Sequence, residues 1–245
     1  MDSALNGEPW PVPYAAERVW RRLGGTARDR IAQELRDRIL IGDLPPGSRI
    51  DLDSLAEEFH SSRTPIREAC LELAHDGLIT VAPRSGIKVI GVTAEDTLEN
   101  FMLMAVMMGV ASGLAAERIT PEELEKIQEL RNDVVTAARV SGDVVTANWM
   151  FHREINRATK SSRLLRLIGQ TGRLIPITFL HWFPKQIPCS LSEHDALVDA
   201  LANRDAAAAR LVTEQHFAEP ARLLASRMRS ERSAPTNVLN LPGSE

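Results

Sequence analysis

Residues that interrupt helices are concentrated in the first third of the chain, and this limits the folds that it can adopt. Two prolines and a glycine in DLPPGSRI (43–50) require a turn, because neither residue type continues a helix or strand well. A second turn signal, PRSG (83–86), separates two alternating apolar segments, as in a small β-hairpin. After Val92, no strand-like alternation interrupts the helical pattern. The sequence therefore predicts two unlike domains.

Three helices are predicted in the first domain. The first begins near Arg28 and ends at Gly42, and the second covers the short segment 51–60. The third follows Ser62, which can cap it. Its apolar residues have the i, i+3, i+4, i+7 spacing of a buried face: Ile66, Ala69, Cys70 and Leu73. Two short helices, a tight turn, a third element and a hairpin together predict a winged helix-turn-helix.

The rest of the chain is predicted to be a series of helices. A long, Met-rich helix follows Thr93, and another begins after Thr120. Further helices are expected at about 143–158, 161–180, 190–203 and 205–229. We predict a mostly α protein with these domains: a flexible leader (1–25), a winged helix-turn-helix (26–92), an all-helical antiparallel bundle (93–230) and a disordered tail (231–245).

Composition excludes several classes of protein. A hydrophobic fraction of 44% in 245 residues is that of a soluble globular protein. Cys70 and Cys189 are far apart and form no CxxC motif, which fits a reducing cytoplasm and gives no thiolate zinc site. We see no signal peptide and no apolar run of membrane-spanning length, so we expect a cytoplasmic protein without a membrane partner. The net charge of −4 means that any DNA binding must use local charges.

The third helix has the layout of a recognition helix. Arg63 stands at its leading edge, and Thr64 and Arg67 point away from the apolar face. Arginine pairs bidentately with guanine in the major groove, and the N-terminal residues of such a helix reach the bases. The hairpin tip, Arg84, Ser85 and Gly86, can place a cation along the DNA backbone or in the minor groove. The plain alternative is a solvated helix face whose arginines pair with Glu68 or Glu72.

Residues 31–89 resemble the GntR family of bacterial transcription regulators. The matching residues are Ile39-Leu40, Gly42, LPPGSRI (which contains Arg49), Leu55-Ala56, SRTPIREA, Leu71, Leu73, DGLI, Arg84, Gly86 and Val89. The resemblance implies that Arg63 and Arg67 contact operator DNA, with Thr64 alongside and Gly86 at the wing tip. Two departures from the family pattern bear on the operator sequence that the protein would recognise. His60-Ser61-Ser62 replaces a usual Gly-Val-Ser turn, and Asp53 stands where some relatives have a DNA-contacting arginine.

Three helices of the second domain each turn a histidine inward. These are His152, His194 and His216, and Asn148 shares the stripe of His152. One buried histidine is most often an ordinary core residue. Three from different helices favour a pocket in the bundle core, and neutral imidazoles suit a divalent metal such as Zn, Ni or Mn.

Residues 93–229 resemble the FCD ligand-binding domain, the effector half of the FadR branch of the GntR family. Its metal-binding members carry Asp-x-x-x-His and two later histidines, which match NWMFH, SEHDAL and EQHF here. The resemblance implies that the three histidines are metal ligands. Asn148 replaces the aspartate and brings no charge, so metal affinity should be lower. Histidines that contact a ligand without any metal remain an alternative.

The same resemblance indicates an effector pocket. Met104 and Met108 stand where FCD domains often carry an arginine and a glutamate, and Phe151 and Trp182 are further candidate lining residues. Losing the arginine favours a larger or more apolar acid than a simple dicarboxylate. The plain alternative is that the methionines fill the core.

We expect a homodimeric, effector-responsive repressor that binds a pseudo-palindromic operator in double-stranded DNA. The alternative is a metal-dependent hydrolase or a metal-binding protein that uses the histidines. The sequence has no HExxH motif and no paired carboxylates near the histidines, so we do not expect an enzyme.

Overall fold

The structure is a computed structural model, and it describes residues 26–40, 42–82, 86–140, 142–175 and 187–232. The predicted leader (1–25), the predicted tail from residue 233, and Arg84, Ser85 and Trp182 lie outside these ranges. The chain forms two compact units that divide between Thr93 and Ala94. Each unit is described by itself below.

The first unit contains three helices and a small sheet. In chain order its elements are α1 (Ala27–Leu40), β1 (Arg49–Ile50), α2 (Leu52–Glu58), α3 (Arg63–His75), β2 (Ile79–Ala82) and β3 (Gly86–Val89). The strands are antiparallel in the order β1-β3-β2. This confirms the predicted winged helix-turn-helix and its hairpin.

The sheet has one strand more than the sequence predicts. We expected DLPPGSRI to be only a turn, but Arg49 pairs with Lys88 and Ile50 with Ile87. Ile50 and Ile87 are buried, so the added strand extends the apolar face of the sheet. Two residues are too short for an alternating pattern to be visible in the sequence.

The turn between α2 and α3 adopts an unusual backbone conformation. His60 has a φ of 47°, in the left-handed region that glycine adopts most easily and that histidine tolerates. Ser62 occupies the N-cap position of α3 with an extended backbone, but its side chain makes no capping hydrogen bond. Ser62 is therefore the N-cap residue, as predicted, but its side chain does not satisfy a backbone N–H of the first turn.

The apolar face of α3 is closed off from solvent as predicted. Ile66, Ala69 and Leu73 are completely buried, and α3 packs against α1. Burial also raises the pKa of the Cys70 thiol to about 11. The thiol is therefore protonated at neutral pH and acts as a small apolar side chain.

A buried arginine joins α1 to the end of α3. Arg36 is 2% exposed and donates to Glu72 Oε1 at 3.0 Å and to Asp76 Oδ2 at 2.8 Å. It also donates to Gln33 Oε1 at 2.8 Å. A guanidinium held by several acceptors fixes the relative position of the two helices more precisely than apolar contacts alone.

The second unit is entirely helical in its described residues. Its helices are α4 (Ala94–Arg118), α5 (Pro121–Arg139), α6 (Val144–Ala158), α7 (Ser162–Gly172), α8 (Ile187–Ala202) and α9 (Ala206–Arg232). Thr120 caps α5 in a reciprocal capping box with Glu123. The main apolar core is built from α4, α5, α6, α8 and α9 around residues such as Phe151, Ile155 and Leu201.

Three helix boundaries differ from the sequence prediction by three residues or more, and one of them is the start of α8, at Ile187 rather than 190. The helix expected over 161–180 ends at Gly172, and turns with i to i−3 hydrogen bonds follow through Ile175. The last helix continues to Arg232 rather than ending at 229. Helix ends are poorly marked by apolar periodicity, because the pattern does not register where the backbone bonds change.

The Met-rich helix α4 is the central helix of the bundle. It packs most extensively along α9. Its segment Glu95–Arg118 is long and apolar enough to cross a membrane by composition, but 56% of its most apolar window is buried inside the unit. Such burial is typical of a core helix. Part of its surface remains apolar and exposed, at Met102, Leu103 and Val106.

We predict that Arg36→Ala loosens the contact between α1 and α3. The substitution removes the cation that Glu72 and Asp76 share, and breaking a buried ion pair costs on the order of 3 kcal/mol. Hydrogen exchange followed by mass spectrometry should show about 100-fold faster exchange in α1 and α3. Arg30→Ala, which removes an exposed arginine of the same helix, is the matched control and should change little. Equal effects of the two variants would contradict the role of the buried network.

Candidate nucleic-acid interface and candidate metal centre

The head of α3 presents its polar residues to solvent. Arg63, Thr64 and Arg67 are exposed, and Arg63 is 69% exposed at its side chain. Arg63 does not pair with Glu68 or Glu72, the partners in the plain alternative. Its Nε donates to Asp53 Oδ1 on α2, whereas Glu72 accepts from Arg36. The arrangement leaves cationic side chains at the leading end of the helix.

The exposed face of the sheet adds a second cationic patch. Arg49 on β1 lies directly opposite Lys88 on β3, and both side chains are exposed. Like charges in directly opposite positions destabilise a sheet, and a bound anion relieves that repulsion. Gly86, with φ of 80°, begins β3 beside the hairpin tip.

Lys88 was missed by the sequence reasoning. The alternation in GIKV marks it, because Ile87 and Val89 are buried and the residue between them must point outward. Only the pairing with β1, which could not be predicted, places it against Arg49.

In the second unit, the three predicted histidines come together. His152 lies on α6, His194 on α8 and His216 on α9, and their candidate ligand atoms are all within 4.8 Å of one another. The ring centroids are 4.9 to 5.0 Å apart in all three pairs. His152 is 7% exposed and His194 is 1% exposed. In the described parts of the chain, this is the one such group of three or more His, Cys, Asp or Glu side chains.

Burial in the cluster favours the neutral form of two imidazoles, those of His152 and His194. Burial lowers the pKa of His152 well below its usual value, and the charges of His194 and His216 lower it further. The pKa of His194 is likewise lowered by burial, then by His216 and Arg131. Neutral imidazole is the form that binds a metal ion.

The buried nitrogens have no hydrogen-bond partners within the described protein. These atoms are Nε2 of His152 and both ring nitrogens of His194. A buried polar atom without a partner lowers the stability of the fold by about 1–3 kcal/mol. These nitrogens therefore destabilise the protein unless a ligand binds them. The set of three imidazoles, the neutral form of His152 and His194, and their unsatisfied nitrogens fit a divalent transition metal. Asn148 lies one turn before His152 on α6 and is partly buried.

A carboxylate orients the third histidine. His216 Nδ1 lies 2.7 Å from Glu193 Oε2, so this nitrogen is occupied and Nε2 is left for another partner. The sequence reasoning missed Glu193, which immediately precedes His194. The sequence indicates this contact only weakly, because adjacent residues of a helix, such as Glu193 and His194, project in different directions. Glu193 meets His216 only because α8 packs against α9.

The candidate effector residues border the histidines. Met104 and Met108 are buried in an apolar cluster with Ala111 and Ile168, and Phe217 packs against this cluster. Phe217 also contacts His152 and His216, with ring centroids 5.0 Å apart in each pair. Phe151 belongs to the main core and lies 4.6 Å from His194 between ring centroids. Phe217 was not among the predicted residues, although EQHF places it beside His216.

The comparisons with known proteins identify the family to which each of the two units is similar. The model of "Bacterial regulatory proteins, gntR family" matches residues 27–89, and the FCD domain model matches residues 100–219. The HTH-type transcriptional regulator McbR of Escherichia coli K12 is 31% identical over 172 residues, or 67% of this chain and 76% of McbR. The chain belongs to the GntR family. It is a DNA-binding transcription regulator with an effector-binding FCD domain, and not the metal-dependent hydrolase of the alternative.

Further similarities extend over most of the chain. A probable D-xylose utilization operon transcriptional repressor of Paenarthrobacter nicotinovorans is 29% identical, covering 78% of this chain and 87% of its own length. The solved structure of E. coli McbR/YncC has a TM-score of 0.67 at 24% identity, covering 83% of this chain and 99% of that one. At this identity the structural likeness supports the fold alone.

Proposed function

We propose that this GntR regulator is a homodimeric repressor that reads a pseudo-palindromic operator with α3. Arg63, Thr64 and Arg67 would contact the bases, and Arg49, Lys88 and the wing residues 84–86 would contact the backbone. The observation that carries the proposal is the division of α3: its apolar face is fully buried, whereas both arginines are exposed at its leading end. Exposed cations on two elements suit an anionic polymer despite the net charge of −4.

Two observations support the homodimer and the repressor role. The exposed apolar patch of Met102, Leu103 and Val106 on α4 offers a surface that a second copy would bury. Two copies related by a two-fold axis present two recognition helices, which matches a palindromic site. The Paenarthrobacter relative is described as a probable repressor.

We predict that Arg63→Ala and Arg67→Ala each weaken operator binding by about tenfold or more, because a bidentate contact to guanine contributes on the order of 1–3 kcal/mol. The operator is first obtained by in vitro selection from a randomised duplex library with the wild-type protein. Affinity is then measured by mobility shift at several salt concentrations.

The matched control is Arg139→Ala on α5, in the other unit, which should leave binding unchanged. The logarithm of the wild-type affinity should fall steeply and linearly with the logarithm of the salt concentration. Wild-type affinity in both arginine variants would show that α3 is not the recognition helix.

We also propose that His152, His194 and His216 hold a divalent metal (Zn, Ni or Mn), with Asn148 contributing an amide oxygen. The metal would supply a positive charge that binds an effector carboxylate. The apolar remainder of the effector would lie against Met104, Met108, Phe151 and Trp182. An acid more apolar than a dicarboxylate suits this lining, since these side chains provide no cation. Binding would shift the population of conformers that fit DNA.

Glu193 supports the metal proposal. It accepts from His216 Nδ1, which fixes the tautomer with Nε2 available as a ligand. It also places a negative charge next to His216, just outside the proposed set of metal ligands. That charge replaces part of what is lost when asparagine stands where metal-binding relatives have aspartate.

We predict about one metal ion per chain in protein purified without chelator or affinity tag, measured by elemental analysis. His152→Ala should lose it, and Glu193→Gln should weaken binding by about 10- to 100-fold, as is typical of outer-shell partners. Adding Zn or Ni to stripped wild-type protein should raise its melting temperature.

His75→Ala is the control, because this histidine is exposed in the first unit and lies outside the cluster. Absence of metal in wild-type protein, together with a melting temperature unchanged by Zn or Ni, would contradict the metal and leave the histidines as polar contacts to the effector.

A further inference from the structure

The leading arginine of α3 is held by an acid on the neighbouring helix. Arg63 Nε donates to Asp53 Oδ1, and both side chains remain largely exposed, at 69% and 61%. Asp51, which caps α2, also interacts electrostatically with Arg63. Its pKa is lowered by hydrogen bonds from Ser54 and from the Asp53 backbone, and also by the charge of Arg63. Two carboxylates at the start of α2 therefore lie near the arginine that leads the recognition helix.

An acid at this position is unfavourable for DNA affinity. A carboxylate beside the helix repels phosphate, so a protein selected only for tight binding would do better without it. The pair also contributes little to stability, since exposed ion pairs are worth about 0–1 kcal/mol. The effect of Asp53 must therefore be sought in what Arg63 binds rather than in how tightly the domain folds.

The atoms involved indicate what that effect is. A guanidinium has five N–H donors in a planar fork, and Asp53 engages Nε. The edge formed by the two Nη groups stays available for a second planar acceptor. Guanine O6 and N7 form such an acceptor in the major groove. Holding Nε restricts the rotation of the side chain and so leaves the Nη edge as its outward-facing donor pair.

We propose that Asp53 is a specificity-determining residue that positions Arg63 to read guanine. It orients the guanidinium and disfavours a phosphate at the same place, so it lowers affinity for arbitrary DNA and favours the cognate base. The proposal rests on the contact of Arg63 with DNA that is proposed above. Asp53 acts through Arg63 and needs no contact with a base of its own.

The test compares discrimination in wild-type protein and in Asp53→Asn, which keeps the shape of the side chain and removes its charge. The probes are the duplex selected by the wild-type protein and a random-sequence duplex of equal length. Asp53→Asn should bind the random duplex several-fold more tightly and lose about tenfold in the affinity ratio, part of the discrimination of one bidentate contact. Repeating the selection with Asp53→Asn should relax the preference for guanine at one position per half-site.

Two further variants separate the explanations. Glu57→Gln removes an exposed charge one turn further along α2 and should leave the affinity ratio unchanged. In an Arg63→Ala background, Asp53→Asn should no longer alter the ratio. If Asp53→Asn strengthens binding to both duplexes equally, or if Glu57→Gln has the same effect on the ratio, the proposal is overturned. If Arg63→Ala itself binds the selected duplex like wild type, it is the proposed contact of Arg63 with DNA that fails.

Discussion

The contact of α3 with α1 determines what the exposed side of α3 can do. Ile66, Ala69, Cys70 and Leu73 leave no solvent-accessible surface on one face, so the rotation of the helix about its axis is fixed. Arg36 then fixes its far end through Glu72 and Asp76. With both rotation and position set, the side chains at the other end, Arg63 and Arg67, must point outward. A recognition helix needs this rigidity, because base contacts depend on geometry to within a fraction of an ångström.

Local patterns in the sequence were sufficient to predict the parts of the structure that depend on neighbours along the chain. The apolar stripe of α3 and the start of α5 after Thr120 both follow from residues within one or two turns. The histidines were also predictable, because each stands on the apolar stripe of its own helix. Their convergence depended on the resemblance to a known domain as well as on periodicity.

Features that depend on distant pairing could not be predicted. Strand β1 exists because residues 49 and 50 meet β3, which follows almost forty residues later. The contacts of Arg63 with Asp53 and of Glu193 with His216 likewise join different helices. In each case the sequence shows the two side chains but not their approach, and it offers other partners on the same helix, such as Glu68 for Arg63.

The two sites use charge in opposite ways. In the bundle, burial removes charge from His152 and His194, which leaves neutral nitrogens with unmet hydrogen-bonding capacity. At the head of α3, the guanidinium of Arg63 lies exposed, and Asp53 directs it. The central claim is that this directed guanidinium reads the operator. The most direct test replaces single guanines of the selected operator by 7-deazaguanine, which lacks the N7 acceptor but still pairs with cytosine. Wild-type protein should lose about fivefold or more in affinity at one guanine per half-site, and Arg63→Ala should show no further loss there. Full affinity of the wild-type protein for every substituted duplex would contradict the claim.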